Sequence, residues 1–553
     1  MIPAVLDESV PMLYPNWWEN IIKRDNKMWL DALSKANGPD VLLASSIGGH
    51  LPVILLDSIL GIALTLRGYK VHILLCDGEL TACELCQIDN SSDLLNFSKN
   101  GQDYNFCKRC FLSAYQIFNS LGFKIHRYSE NINNEEKKDI LSLAESIPYS
   151  NIRDYYYSDL TVGEHAWAGS LRFFARGTLD DEPNGEAITR RYLYAALLTA
   201  FITNNLFKNY NYVSTSFHHG IYVPQGIIGE VARREKIPVN NWSVAYRKKC
   251  FIFSHNETYH HEMLTEPIEK WENILLNEVQ ENEITDYLKS RAYGTQDWFL
   301  LFEKPITVLD KIEKELGISF LKPTIGLLTN VMWDAQLHYC SNAFPNMVDW
   351  ILETISYFSK RPDLQLIIRV HPAEVKGTLK SRQPIIPEIL KTIPSLPSNV
   401  IIIPPDNEIS TYTVMQQCDS VLIYGTKTGV ELTSMGIPVI VAGEAWIRNK
   451  GVTTDATSPE QYFSFLDKLP LQERLDEDTR KRALRYAYHF FFRRMIPLEF
   501  LEPTGGWPPY KLAVNSLLGF LPGNSTGLDV ICNGIITGSD FIYPAEMLTE
   551  SLD

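Results

Sequence analysis

Positive charge is in short supply in this chain. Fifty-one lysines and arginines face 66 aspartates and glutamates, and the formal net charge is −15. That balance argues against nucleic acid or an anionic bilayer as the main partner, since both are bound through an excess of basic groups. Long apolar runs are also missing. The most apolar window, Leu51–Leu66, is interrupted by Asp57 and is shorter than the ~20 residues a helix needs to cross a bilayer. Met1–Met12 carries Asp7 and Glu8 where a secretory leader has a basic lead-in to an apolar core. Internal repeats, low-complexity tracts and any evident motif for a catalytic divalent cation are absent. The sequence therefore predicts a cytoplasmic protein whose membrane association, where it occurs, is peripheral.

What is present is an ordinary globular composition, 45% hydrophobic over 553 residues. That length exceeds one core and suggests two α/β domains with insertions. Function is most legible between Asp363 and Gly451. Apolar runs at Leu364–Arg369, Asn399–Pro404 and Ser420–Tyr424 alternate with helical patterns, as in a parallel sheet. Ligands of such sheets bind beyond the carboxyl ends of the strands. Arg369 and His371 follow one strand, and Gly425-Thr426-Lys427-Thr428-Gly429 follows another. Free backbone N–H groups, two hydroxyls, a lysine and an arginine there suit a diphosphate. The following helix carries Glu431 and stops at Gly436, ahead of Pro438 and a buried strand.

Nearer the start, Asp40–Ser46 reads as a strand, Ile47-Gly48-Gly49-His50-Leu51-Pro52 as its turn, and Lys70–Cys76 as the next strand. This is a βαβ unit that opens a Rossmann-like domain. Two pairs, Cys83-x2-Cys86 and Cys107-x2-Cys110, are separated by residues 87–106. The spacing predicts a closed four-thiolate zinc site of structural role. Residues 151–183 read as an aromatic-rich loop with Glu164, His165, Arg172 and Arg176, suited either to sugar recognition or to plain packing. His218 and His219 stand at another strand end, as ligand contacts or as turn residues.

Glu431 with Gly436 and Pro438-Val439-Ile440 resembles the E-x4-G-x-P-V segment of GT-B glycosyltransferases. The His371-Pro372 pair, Thr426–Gly429, and the segment from Gly443 through Asp455 are similar to capsule and surface-polysaccharide glycosyltransferases. The resemblance is strong over 360–460 and weaker over 40–80 and 210–260. It implies two Rossmann-like domains facing a cleft, with a nucleotide-sugar as co-substrate and a glycan or lipid-linked acceptor. It also implies that Glu431 binds the donor ribose and that His50 faces the acceptor. Ile423 stands where retaining members carry a second glutamate, so a retaining mechanism of that type is in doubt.

The expected organisation is a helical lead-in (1–38), a first Rossmann-like domain (39–262) with a zinc insertion (80–112), a helical linker (263–320), a second Rossmann-like domain (321–470), and a C-terminal helix and tail (471–553). The expected catalytic residues are His50 as base, Asp77 orienting it, Glu164 and His165. The expected donor site is Arg369, His371, Gly425, Thr426, Lys427, Thr428, Gly429 and Glu431. Two alternatives stay open: a non-hydrolysing nucleotide-sugar epimerase, and a non-catalytic glycan-binding relative.

Overall fold

Apolar runs buried on both faces organise the chain into two main sheets. The computed structural model describes residues 13–91, 93–298, 302, 304–335 and 341–549. The first sheet is built from β1 (Asp40–Ser46), β2 (Lys70–Leu75), β3 (Lys124–Arg127), β4 (Tyr212–His218), β5 (Val239–Val244) and β6 (Cys250–His255). The second comprises β7 (Thr324–Leu328), β8 (Gln365–Arg369), β9 (Val400–Ile403), β10 (Ser420–Ile423), β11 (Val439–Val441) and β12 (Thr454–Asp455). A last strand, β13 (Ile496–Pro497), returns to the first sheet. The first sheet runs β13-β6-β5-β4-β1-β2-β3, with β6 and β13 antiparallel. The second, all parallel, runs β12-β11-β10-β7-β8-β9. Both orders reverse direction beside their first strand, which is the doubly wound arrangement. The mixed α/β architecture with parallel sheets is the one expected.

Strand β1 shows why the runs are continuous instead of alternating. Val41 and Leu43 pack with the helix Leu51–Leu66 on one face, while Leu42 and Ala44 pack with the helix Gly185–Asn209 on the other. A strand covered on both sides has no polar face to present. Among the described residues no helix is long and apolar enough to cross a membrane.

Two parts depart from the sequence reading, and a third lies partly outside the described residues. Residues 151–183 are not one loop: Val162–Phe174 is a helix whose Ala166, Leu171, Phe173 and Phe174 enter the core. Of the expected helical lead-in, residues 1–12 lie outside the described residues, and two helices, Glu19–Arg24 and Asn26–Lys35, follow. The tail is no appendage. Phe500, Tyr510, Phe520 and Ile531 join the core beneath the first sheet, Tyr510 donates to the Pro52 carbonyl at 2.8 Å, and Arg67 pairs with Asp529.

Candidate active site at the facing sheet ends

In each sheet the strand order reverses between two central strands, and the loops beyond their carboxyl ends diverge to leave a crevice. In the first sheet these strands are β1 and β4, followed by His50 and by His218-His219. In the second they are β7 and β10, followed by Thr329–Asp334 and by Gly425–Thr428. The two crevices meet. Tyr222 donates its hydroxyl to Asp334 Oδ1 at 3.0 Å and accepts the Ala335 N–H at 3.1 Å. Lys427 Nζ lies 4.5 Å over the Tyr246 ring, and Gln383 Oε1 accepts the N–H groups of Gly177 and Thr178. Non-glycine residues in left-handed backbone flank the junction: Ser46 (φ 55°), His219 (φ 62°) and Ala335 (φ 51°). Such conformations cost energy and persist where surrounding structure imposes them.

On the first-sheet side, His50 packs edge-on to His218 at 5.1 Å between centroids and stacks on the exposed Trp507 at 5.9 Å. Donor atoms of His50, Glu84 and His218 all lie within 4.8 Å of one another. His50 Nδ1, His218 Nδ1, His219 Nδ1 and Glu84 Oε2 are buried and have no hydrogen-bond partner. Burial, with Arg172 nearby, holds His50 at about 4. Burial and the same arginine take His219 to about 3, and burial with His50 draws His218 well below the usual range. Burial raises Glu84, against the pull of Arg172. Arg172 itself donates to the backbone carbonyl of Glu84 and lies 5.3 Å over the Tyr222 ring.

The glycines before His50 serve a purpose other than close approach to a ligand. A Cβ on Gly48 would fall 2.3 Å from the Cys110 carbonyl oxygen, and one on Gly49 would meet Leu85 at 2.9 Å. The loop is bare because the helix Tyr104–Ser120 runs directly behind it.

On the second-sheet side the charged groups are largely spoken for. Glu431 is fully buried, 2.9 Å from Arg291 Nε and 2.7 Å from Lys427 Nζ, and accepts from the Tyr412 hydroxyl. Burial works to raise its carboxyl, but Arg291 and Lys427 outweigh it and the net shift is downward. Arg369 donates to the Pro404 carbonyl, to the Asn407 carbonyl at 2.9 Å and to Thr411 Oγ1 at 3.2 Å, which fastens the loop after β9. His371 Nδ1 accepts the Ala373 N–H at 3.1 Å, so its neutral ring carries the proton on Nε2. Burial, then Lys427, hold it at about 4. Thr426 and Thr428 hydroxyls lie 3.2 Å apart at the start of the helix Thr428–Ser434. A Cβ on Gly425 would sit 3.3 Å from Asn330, and one on Gly429 would press Ile423 at 2.7 Å.

Other expected residues go elsewhere. Asp77 accepts the backbone N–H and hydroxyl of Ser129, at 3.1 and 2.5 Å, and so caps the turn after β3 instead of orienting His50. His165 Nδ1 sits 2.5 Å from the Ile221 carbonyl, behind the His218 loop. Glu164 precedes it, half-buried, on the same helix. The zinc-knuckle insertion is not supported. Cys83 and Cys86 Sγ atoms are 3.8 Å apart, but Cys107 and Cys110 belong to one long helix, and Cys110 Sγ accepts the Gly49 N–H at 2.9 Å. Among the described residues these four thiols do not form a group with every donor within 4.8 Å, whereas His50, Glu84 and His218 do.

Sequence reasoning missed Glu84, Tyr222, Arg291 and Trp507. Glu84 lies inside the Cys83–Cys86 pair, whose spacing drew attention to sulfur and away from the carboxylate. Tyr222 follows the two histidines after Gly220 and Ile221 and was within reach of the same strand-end argument.

Residues 309–472 match the family model described as capsule polysaccharide biosynthesis protein. That stretch holds β7 to β12 with His371, Lys427 and Glu431, and over it the resemblance to capsule polysaccharide proteins is borne out. No curated protein matches the chain. Among solved structures, the beta Kdo 2,4 transferase of Thermosulfurimonas dismutans KpsC is similar at 11% identity and TM-score 0.34, over 56% of this chain and 87% of that one. A glycosyltransferase from Rickettsia africae ESF-5 aligns over 91% of this chain and 100% of that one, at 12% identity and TM-score 0.28. UDP-GlcNAc 2-epimerase from Neisseria meningitidis aligns over 81% and 95%, at 12% and 0.23.

Proposed function

We propose that this chain is a glycosyltransferase of capsule-type polysaccharide assembly, moving a sugar from a nucleotide-sugar donor to a glycan acceptor. The observation that carries the reading is the pairing of two opposed polar clusters at the switch points of two sheets, bridged by Tyr222 and Asp334. The family match over the second cluster supports placing the donor there.

In the step we assign, an acceptor oxygen attacks the anomeric carbon while the bond from that carbon to the phosphate oxygen breaks. The leaving phosphate gathers negative charge beside Lys427, His371 Nε2–H and the Thr426 and Thr428 hydroxyls, and preorganised donors of this kind supply much of the stabilisation in such reactions. Glu431 holds Lys427 in position and, with its carboxylate engaged by three groups, is left out of ribose binding. The acceptor hydroxyl docks against the His50–Glu84–His218 cluster. A lone imidazole at about 4 is neutral at physiological pH but a weak proton acceptor. We therefore assign activation of the acceptor to the three groups together, its proton passing to the Glu84 carboxylate, which burial raises.

The test is a panel of nucleotide-sugars incubated with the full chain, with and without oligosaccharide acceptors. The expected result is nucleotide release that depends on acceptor, with a new glycosidic product. A donor sugar isomerised without acceptor, or no nucleotide binding across the panel, overturns the reading.

A further inference from the structure

We infer that His50, Glu84 and His218 form a binding site for one divalent cation of the zinc class, on the acceptor side of the cleft. Two imidazoles and a carboxylate are the ligand set of many three-coordinate protein sites that keep a fourth position open for water or substrate oxygen. Their donor atoms lie within 4.8 Å of one another. Ligands of a tetrahedral site are about 3.4 Å apart, a contraction within reach of side-chain rotation.

Position and bonding agree with this assignment. The three residues arrive from separate segments: the loop after β1, the turn at Cys83–Cys86, and the last residue of β4. The Glu84 turn is tied down by its N–H to the Val223 carbonyl at 2.9 Å. Two of the atoms turned toward each other, His218 Nδ1 and Glu84 Oε1, are 3.9 Å apart, too far for a hydrogen bond. Glu84 Oε2, His50 Nδ1 and His218 Nδ1 are all buried without a hydrogen-bond partner. A buried carboxylate oxygen left in that condition is costly, and a cation offsets the cost. Arg172 offsets part of that cost from a distance but makes no hydrogen bond to the carboxylate. It bonds the backbone carbonyl of Glu84, leaving the carboxylate open.

A cation held there lowers the pKa of an oxygen bound at its open position. That property would suit the acceptor hydroxyl. The site itself does not depend on the transfer reading: a chain that binds metal but handles no nucleotide-sugar would sink only that reading, and a metal-free chain that transfers sugar would sink only this one.

The experiment titrates tag-free full-length protein, stripped by chelator, with cobalt(II) and follows the visible and near-ultraviolet spectrum. One cobalt per chain is expected, with ligand-field bands of a nitrogen–oxygen site and no thiolate-to-cobalt charge transfer. His218→Gln and Glu84→Gln should each weaken cobalt binding by at least about tenfold, while the double variant Cys83→Ser/Cys110→Ser should keep it. Three outcomes overturn the proposal: no stoichiometric binding by the native chain, a thiolate charge-transfer band on the native chain, or full affinity in both the His218 and Glu84 variants. The native spectrum decides between nitrogen–oxygen and sulfur ligands even if a variant fails to fold.

Discussion

Two buried glutamates face the same cleft from opposite sheets and are treated in opposite ways. Glu431 has Arg291, Lys427 and Tyr412 around it. Glu84 has an oxygen with no hydrogen-bond partner, next to two histidines in the same condition. Residue type does not separate them, and neither does depth. What separates them is whether the fold itself completes their bonding. A charge that the chain has neutralised is part of the scaffold that positions other groups. A charge left incomplete in a folded interior is one for which something external is reserved.

The contrast can be broken most sharply by removing the incomplete side. His50→Ala should lower turnover by about 10²–10⁴-fold, the range for losing a group that activates the attacking atom, with donor affinity within about threefold of native. Its Nδ1 has no hydrogen bond to lose, so any change in melting temperature reports the lost ring contacts with His218 and Trp507. A variant that turns over normally would place activation elsewhere. The completed side should behave in reverse. Glu431→Ala leaves Arg291 and Lys427 without their shared carboxylate and should cost about 3–5 kcal/mol in urea unfolding, the usual penalty for breaking a buried pair. If Glu84→Ala costs as much, the distinction between scaffold and reserved charges fails.

A smaller effect sharpens the donor side. His371→Ala should weaken nucleotide binding by about 1.5–3 kcal/mol, as for a lost charge-assisted hydrogen bond to phosphate. Calorimetry with nucleoside monophosphates and diphosphates reads it, and unchanged affinity for every nucleotide would remove His371 from the phosphate site.

The smallest effect concerns pH. Asp57, buried under the first sheet, accepts hydrogen bonds from Ser45 at 2.7 Å and Trp242 at 3.2 Å, yet burial still raises its carboxyl to about 7. Above the unfolded value near 3.8 the folded chain keeps a proton that the unfolded chain has released, so this group's contribution fades as pH rises toward 7. Glu431 works the other way: its lowered carboxyl favours the fold above the ordinary glutamate value and withdraws that support as pH falls. Asp57→Asn should therefore reduce the loss of urea midpoint between about pH 5 and about pH 8. An identical slope in the variant would show that Asp57 does not titrate there.

How much of this was legible in the sequence follows from what one-dimensional patterns encode. The strands were readable because a doubly covered strand is a largely apolar run; Asp40–Ser46 and Gln365–Arg369 fall where the runs predict. His50 and His218 were readable as candidates because both stand at the carboxyl ends of central strands. Bonding partners were not. Arg369 and Glu431 have the composition of a donor site, but whether a guanidinium meets a ligand or the Pro404 carbonyl depends on the path of a distant loop. Gly48 and Gly49 read as a turn, and nothing in the sequence says that the helix of Cys107 and Cys110 passes behind them. The cysteine spacing suggested a metal, while the structure points three residues of other types at one point.

The return of the chain to its first sheet bears on how the protein is made. Ile496–Pro497 pairs with Cys250–Phe251, and Tyr510 and Asp529 reach Pro52 and Arg67. A ribosome adds roughly 5–20 residues per second, so the first sheet waits on the order of tens of seconds for its outer strand and its lower core. Through that interval the β6 edge and the face of Leu51–Leu66 stay uncovered, while the second sheet is already being threaded out. Chains that stop before Ile496 would carry an exposed apolar face and a pairing edge, the two features that chaperones and proteases select.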